Sequence, residues 1–403
     1  MTFNTYETLA LACFVLLLGY FLVKRIRFLD AFNIPEPVVG GFIVALLLTL
    51  AYQIWGISFN FDTDLQRNMM LVFFSSIGLS ANFARLIKGG KPLVIFLFVC
   101  ALFIVVQNTV GIFSAMGLGI DPAYGLIAGS ITLVGGHGTG AAWAETLTNR
   151  FGISSALELA MACATFGLVF GGILGGPVAS FLLKRMHKQQ IPEPDEDTND
   201  VEEAFERPKY RRKVNVRSII ETIAMLSICL LVGQQIDIWT TGTIVQLPTY
   251  VWCLLVGTII RNGLVHLVKF KVADEAIDVL GTVGLSLFLA IALMSLKLWE
   301  LAGLALPVLV ILLIQVAVMA LFAIFVTYRA MGKDYDAVVL SAGHCGFGLG
   351  ATPTAIANMQ AVTSHYGPSH KAFLIVPMVG AFFIDLINNI LVNVFSEVIA
   401  YLH

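Results

Sequence analysis

Between Gly129 and Trp143 the chain reads GSITLVGGHGTGAAW, which sets Ser130, Thr132, His137 and Thr139 among Gly135, Gly136, Gly138 and Gly140. Hydroxyls and an imidazole supply hydrogen bonds without fixed charge, and glycine lets the backbone come within bonding distance of a ligand. A second stretch, Gly343–Ala355, reads GHCGFGLGATPTA and carries His344, Gly346, Gly348, Gly350, Thr352, Pro353 and Thr354. Broken helices expose N–H groups and positive dipole ends, which suit an anion. Pro353 has no N–H, so it leaves a carbonyl free, and freed carbonyls suit a small cation. Downstream, Asp385 stands in an apolar run with Asn388 one turn on. A carboxylate at such a place is costly and reads as functional by default.

Positioning these residues falls to the rest of the chain. Of its 403 residues 58% are hydrophobic and only 12% charged, with mean hydropathy +0.87; soluble domains carry about 25% charged residues. Repeated apolar runs near 20 residues long predict an all-α polytopic membrane protein. Ten spans are expected, near 6–23, 36–55, 68–86, 92–117, 154–183, 217–236, 248–267, 278–297, 302–328 and 371–400. The first is read as a retained helix, since MTFNTYETL has no basic flank. The glycine-rich stretches fall between the fourth and fifth and between the ninth and tenth spans. Both are too broken for a spanning helix and too apolar for a wet loop, so re-entrant hairpins are expected near 121–147 and 336–362.

Charge predicts the orientation. Basic residues follow the odd-numbered spans: Lys24, Arg25 and Arg27; Arg85, Lys88 and Lys91; Lys184, Arg185 and Lys188; Arg261, Lys269 and Lys271; Arg329 and Lys333. Only Arg67, Arg150 and Lys297 fall on the other side. That asymmetry places the basic side in the cytoplasm and both termini outside. The first hairpin then enters from outside and the second from the cytoplasm. Residues 187–216, with IPEPDEDTNDVEE and a basic cluster, read as a cytoplasmic linker. It separates an N-terminal half, 1–186, from a C-terminal half, 217–403. Shifted by 214 residues, FSSIGLSAN (Phe74–Asn82) lies on FLAIALMSL (Phe288–Leu296), Gly129 on Gly343, Gly136 on Gly350 and Ala141 on Ala355. Five spans per half is odd, so the halves must be inverted, the plan of secondary transporters.

The long motifs IPEPVVGG (Ile34–Gly41), AGSITLVGGHGTGAAW (Ala128–Trp143), AMACATFGLVFGGILGGPVA (Ala160–Ala179), AGHCGFGLGATPTAIANMQA (Ala342–Ala361) and VPMVGAFFIDLIN (Val376–Asn388) resemble the bacterial sodium:glutamate symporter family over nearly the whole chain. The resemblance implies sodium-coupled L-glutamate uptake across the inner membrane. It also implies a homodimer whose transport domain slides on a scaffold, elevator-like. No cofactor beyond the coupling sodium is expected, and nucleic acid is not an expected partner. The glutamate carboxylates are assigned to Ser130, Thr132, Gly135, Gly136, His137, Gly138, Thr139, Gly346, Gly348, Gly350, Thr352 and Pro353, and sodium to Asp385, Asn388, Asn108 and Thr354.

Plainer readings stand beside these. Gly167, Gly171 and Gly175, spaced by four, fit close helix packing. Gln107 and Asn108 could orient a hairpin tip or bond between helices. Glu158 and Glu221 could be solvated at the interface. The pair His137 and His344 could be polar packing, a proton relay or a metal pair, but no supporting thiolate or carboxylate stands by. The six cysteines lie in apolar or glycine-rich segments without a Cys-x-x-Cys pair, against a disulfide framework or zinc site. No Arg or Lys is expected deep in a span. A proton-coupled carrier of another carboxylate is the nearest alternative. A channel lacks a ring-forming selectivity motif, and an intramembrane enzyme lacks H-E-x-x-H or G-x-S-x-G.

Overall fold

The computed structural model describes residues 2–31, 34–57, 59–83, 90–186, 214–241, 247–267, 272–296 and 305–402. The helices are α1 (Thr5–Arg25), α2 (Arg27–Ala31), α3 (Glu36–Trp55), α4 (Thr63–Ser80), α5 (Gly90–Gly117), α6 (Pro122–Leu126), α7 (Gly136–Phe151), α8 (Ala156–Leu183), α9 (Val216–Thr240), α10 (Thr249–Leu267), α11 (Asp274–Met294), α12 (Ala305–Phe322), α13 (Tyr328–Ala330), α14 (Tyr335–Leu349), α15 (Thr352–Tyr366), α16 (His370–Met378) and α17 (Ile384–Leu402). Side-chain caps set several helix starts. Asn4 forms a capping box with Glu7 on α1, Asp62 caps α4, and Asn215 caps α9.

Among the described residues eight helical stretches are long and apolar enough to cross a membrane. They correspond to eight of the ten expected spans, and the chain is a multi-pass membrane protein. The other two expected spans, 68–86 and 248–267, are the helices α4 and α10. Of these, α4 starts in the polar TDLQRN and is less apolar than the eight, and α10 carries Arg261 and Asn262 in an otherwise apolar run. Outward faces are strongly apolar, with Phe14, Phe98 and Phe113 each about two-thirds exposed. Such surface suits a bilayer rather than water. Residues 187–213 of the expected linker, and the expected orienting cations Arg85, Lys88, Lys188, Lys269, Lys271 and Lys297, lie outside the described residues.

Two compact units divide the chain. Unit 1 holds residues 1–82, 141–158 and 210–303; unit 2 holds 83–140, 159–209 and 304–403. In unit 1, α4 packs between α10 and α11. A Cβ on Gly78 would stand 2.1 Å from the Leu254 carbonyl oxygen, and one on Gly281 would stand 2.1 Å from Ser76 Oγ, so only glycine admits this approach. In unit 2, α5 is the central post, with Leu93, Phe96, Phe103 and Ile104 fully buried. Three single π turns also belong to unit 2: Ile127–Ile131, Ala323–Thr327 and Val379–Phe383. Each inserts a residue into a helix, a device common at functional sites.

Candidate functional site

The first glycine-rich stretch is a broken helix. Asp121 caps α6 by accepting from Ala123 N–H at 2.8 Å, with Pro122 in the first turn. The π turn Ile127–Ile131 follows, and Gly129 leaves helical geometry at φ −105°, ψ −141°. There Asn108 of α5 reaches in: its Oδ1 accepts the Ser130 N–H at 2.9 Å. A Cβ on Gly129 would stand 2.9 Å from that same oxygen. From the far side Asn388 Nδ2 donates to the Ser130 carbonyl at 3.0 Å. Side chains thus reach both peptide groups of Ser130: Asn108 takes its N–H, and Asn388 joins the Val134 and Gly135 N–H groups on its carbonyl. The chain then turns through Val134 and Gly135, and Gly136 opens α7 at φ +63°. It doubles back far enough that a Cβ on Gly140 would meet Thr132 Cγ2 at 3.2 Å.

The second stretch is a helix pair. Asp334 caps α14 through Ala337 N–H at 2.8 Å, and α14 stops at Gly350, φ −139°, ψ −100°. After extended Ala351, α15 returns along α14. Asn358 Nδ2 donates to Ala342 O at 3.3 Å, and a Cβ on Gly346 would stand 2.5 Å from Ala355 N. Pro353 is exposed in the first turn of α15, where a missing N–H costs nothing. The carbonyls freed here come from the break itself rather than from proline. Gly348 is held in turn, its carbonyl accepting from Gln107 Nε2 at 3.1 Å.

The two breaks meet within unit 2: a Cβ on Gly136 would lie 4.0 Å from the Gly350 carbonyl oxygen. Around them lie buried polar atoms with no protein hydrogen bond: Asn108 Nδ2, Ser130 Oγ, Thr354 Oγ1 and Asn388 Oδ1. Two of the four are donor-capable hydroxyls, one is an N–H donor and one a pure acceptor. Buried groups of this kind are stabilised only by a ligand or water. Other candidates are already engaged. Thr132 Oγ1 donates to Ile127 O at 2.6 Å, and His137 Nε2 lies 3.0 Å from Thr165 Oγ1. His344 Nδ1 lies 2.9 Å from Thr327 Oγ1, in a ring of Phe96, Phe103, Phe322 and Phe347. That setting is aromatic packing. Gly138 and Thr139 are buried in the first turn of α7, and the Thr352 hydroxyl would sit 2.9 Å from a Cβ on Gly380 of the third π turn. Asp385 shares a face of α17 with Asn388, and its carboxylate has no hydrogen bond or ion pair among the described residues.

Close packing is what Gly167, Gly171 and Gly175 provide, and it is directed at the second break. A Cβ on these positions would meet Leu349 O at 2.0 Å, Gly346 O at 3.0 Å and Asn358 Cγ at 2.4 Å. The reading of the sequence missed Gln315, Thr165, Thr327 and Asn358. Gln315 had a signal, being the one strongly polar side chain in ALPVLVILLIQVAVMALF. The others are ordinary hydroxyls and amides whose partners lie far along the chain. Arg261, expected among the cations that close the seventh span, is buried in the protein. It is 3% exposed inside α10 of unit 1, and it pairs with Asp274 Oδ1 at 2.6 Å, which answers its charge. Glu158 is buried, at 5% exposed, rather than solvated, and Glu221 pairs with Arg217 at 2.9 Å.

Gly136 is needed for its dihedral rather than for space, since nothing else lies within 4.0 Å of its Cβ position. A left-handed residue with a side chain costs roughly 1–2 kcal/mol. Gly136→Ala should therefore lower the thermal unfolding temperature modestly and β-branched Gly136→Val lower it more; unfolding of the two purified variants checks this.

Comparison with known proteins bears on the same residues. Residues 1–368 match the family described as sodium/glutamate symporter. The sodium/glutamate symporter of Haemophilus influenzae is 71% identical over 398 residues, covering 99% of this chain and 98% of that one. The sodium/glutamate symporter of Escherichia coli is 54% identical over 392 residues, covering 97% of each. Among solved structures, a sodium proton antiporter of Methanocaldococcus jannaschii aligns over 98% of both chains with a TM-score of 0.43 and 13% identity. Since the family match takes in both breaks and the first relative runs through Asn388 as well, the chain belongs to the sodium/glutamate symporter family.

Proposed function

We infer that the chain is a secondary transporter that couples sodium influx to uptake of L-glutamate. The observation that carries this is the meeting of the two breaks, Gly136 against Gly350, amid the unspent atoms of Asn108, Ser130, Thr354 and Asn388. Asn108 and Thr354, given to sodium on the sequence, are reassigned: the free Asn108 atom is a donor, which a cation cannot use, so it and the hydroxyls of Ser130 and Thr354 face the ligand carboxylates, helped by N–H groups at the starts of α7 and α15. Asn388 Oδ1 and the Asp385 carboxylate take the sodium ion. A neutral amide with a nearby carboxylate offers the hard oxygens a small cation requires. Sodium is the coupling ion, and no organic cofactor or bond-making chemistry is involved.

The finer plan is part of the same proposal. Ten spans form two inverted halves, 1–186 and 217–403, joined by a cytoplasmic linker, with the broken segments re-entering from opposite faces. Both termini are periplasmic, the membrane is the inner one, and the protein works as a homodimer. Matching pieces of both halves supply each unit, residues 83–140 and 304–403 in unit 2 for example, and this supports the duplication. Unit 2, which contains both breaks, is the body that carries the ligand in an elevator-like step.

Proteoliposomes with radiolabelled glutamate test the reading. Accumulation is expected only with an inward sodium gradient. Equal uptake with choline in place of sodium, or uptake driven by a pH gradient alone, would defeat it. Asp385→Asn is expected to raise the sodium concentration for half-maximal uptake by about tenfold, the usual scale for a lost metal-site group. An unchanged sodium titration removes Asp385 from the ion's shell.

A further inference from the structure

Two buried glutamines stand apart from the atoms assigned so far. Gln107 and Gln315 are both 0% exposed, and both side-chain oxygens are buried without a hydrogen bond. Their orientation is fixed by their nitrogens. Gln107 Nε2 donates to Gly348 O at 3.1 Å, and Gln315 Nε2 donates to the Gln107 carbonyl at 2.8 Å. Flipping either amide would set oxygen against oxygen, so the free atom in each case is an acceptor. Leaving one such acceptor dry costs about 1–3 kcal/mol. Two of them, joined by a hydrogen bond between their residues, point to a ligand that brings positive charge.

We propose that Gln107 Oε1 and Gln315 Oε1 form a second sodium station, separate from the one at Asp385 and Asn388. The proposal rests on the sodium-coupled reading above. Neutral amide oxygens suit a monovalent cation, and water can complete its shell. The station also has a route to both breaks. Neighbouring residues of α5 divide the work, Asn108 holding Ser130 of the first break and Gln107 holding Gly348 just before the second. A cation on Gln107 Oε1 draws electron density from the amide, and its N–H then grips Gly348 more strongly. Sodium here would set the second break in its glutamate-binding form.

Sodium titrations of glutamate uptake by the full-length protein in proteoliposomes test this. Gln315→Leu keeps the volume and loses the oxygen. Its half-maximal sodium concentration should rise by about tenfold or more, well beyond any change in glutamate KM at saturating sodium. Gln315→Glu restores that oxygen, adds charge and sets its second oxygen against the Gln107 carbonyl, a repulsion that a cation relieves, so it should titrate below the wild-type concentration. An unchanged titration for Gln315→Leu overturns the station. So does a loss of maximal rate in both variants with unchanged sodium dependence, which would mark packing alone. If the leucine variant fails to insert, Gln315→Glu decides by itself: tighter sodium dependence supports the station and an unchanged one overturns it. Wild-type uptake without sodium dependence would instead overturn the functional reading, and is told apart by needing no variant.

Discussion

Gly167→Ala is expected to abolish sodium-driven glutamate uptake. The added Cβ would stand 2.0 Å from the Leu349 carbonyl oxygen and 2.8 Å from Leu133 Cδ2. Neither distance is tolerable. The first obstacle is backbone, which cannot swing away as a flexible side chain can. Leu349 is the last residue of α14 before the second break, and Leu133 lies just ahead of the Gly136 turn. One methyl group therefore pushes on both breaks at once. A shift near 1 Å in a binding geometry can lower a rate by about a hundredfold, which puts the variant at the level of empty liposomes. Gly176→Ala on the same helix is the control. Nothing lies within 4 Å of its Cβ position, so its uptake should match wild type. Initial rates for both variants at equal membrane content check the pair, and near-normal transport by Gly167→Ala would show that the breaks do not need α8.

Asn108→Leu has the next largest expected effect. The substitution removes the Oδ1 acceptor of the Ser130 N–H and the unspent Nδ2 together. An orphaned buried donor costs about 1–3 kcal/mol, and each 1.4 kcal/mol is about tenfold in affinity. Glutamate KM should rise by at least about tenfold on this scale. Asn108→Asp keeps an acceptor for Ser130 but repels an anionic ligand, so glutamate affinity falls here too, and burying its charge lowers the thermal unfolding temperature as well. Substrate titrations and thermal unfolding of the purified variants check both statements.

Much of this was legible in the sequence because glycine and proline interrupt apolar runs only where the backbone must break. The positions of both breaks follow from that, and the ten spans expected from hydropathy take in the eight helices apolar enough to cross a membrane among the described residues. Partners were not legible. Ser130 is gripped by Asn108, 22 residues before it, and by Asn388, 258 residues after it, and no local pattern announces either bond. Interhelical hydrogen bonding and orientation of a hairpin tip are equal readings of Asn108 by sequence; in the fold it bonds to the Ser130 N–H of the first break. Arg261 shows the opposite limit. Its place among cations that close a span was plausible by sequence, yet Asp274 permits it to be buried. The π turns carry no sequence signature, since an inserted residue looks like any other in an apolar run.

The last of those turns, Val379–Phe383, lies directly upstream of α17. An α-helix advances about 100° per residue, so a single surplus residue there dictates which way every later side chain faces. Asn388 meets the Ser130 carbonyl only because of that offset. Rewinding the turn as plain α-helix with every residue kept would swing Asn388 about a quarter of a revolution away from its partner. The winding of this segment is thus as binding a constraint on the protein as the identity of any residue within it.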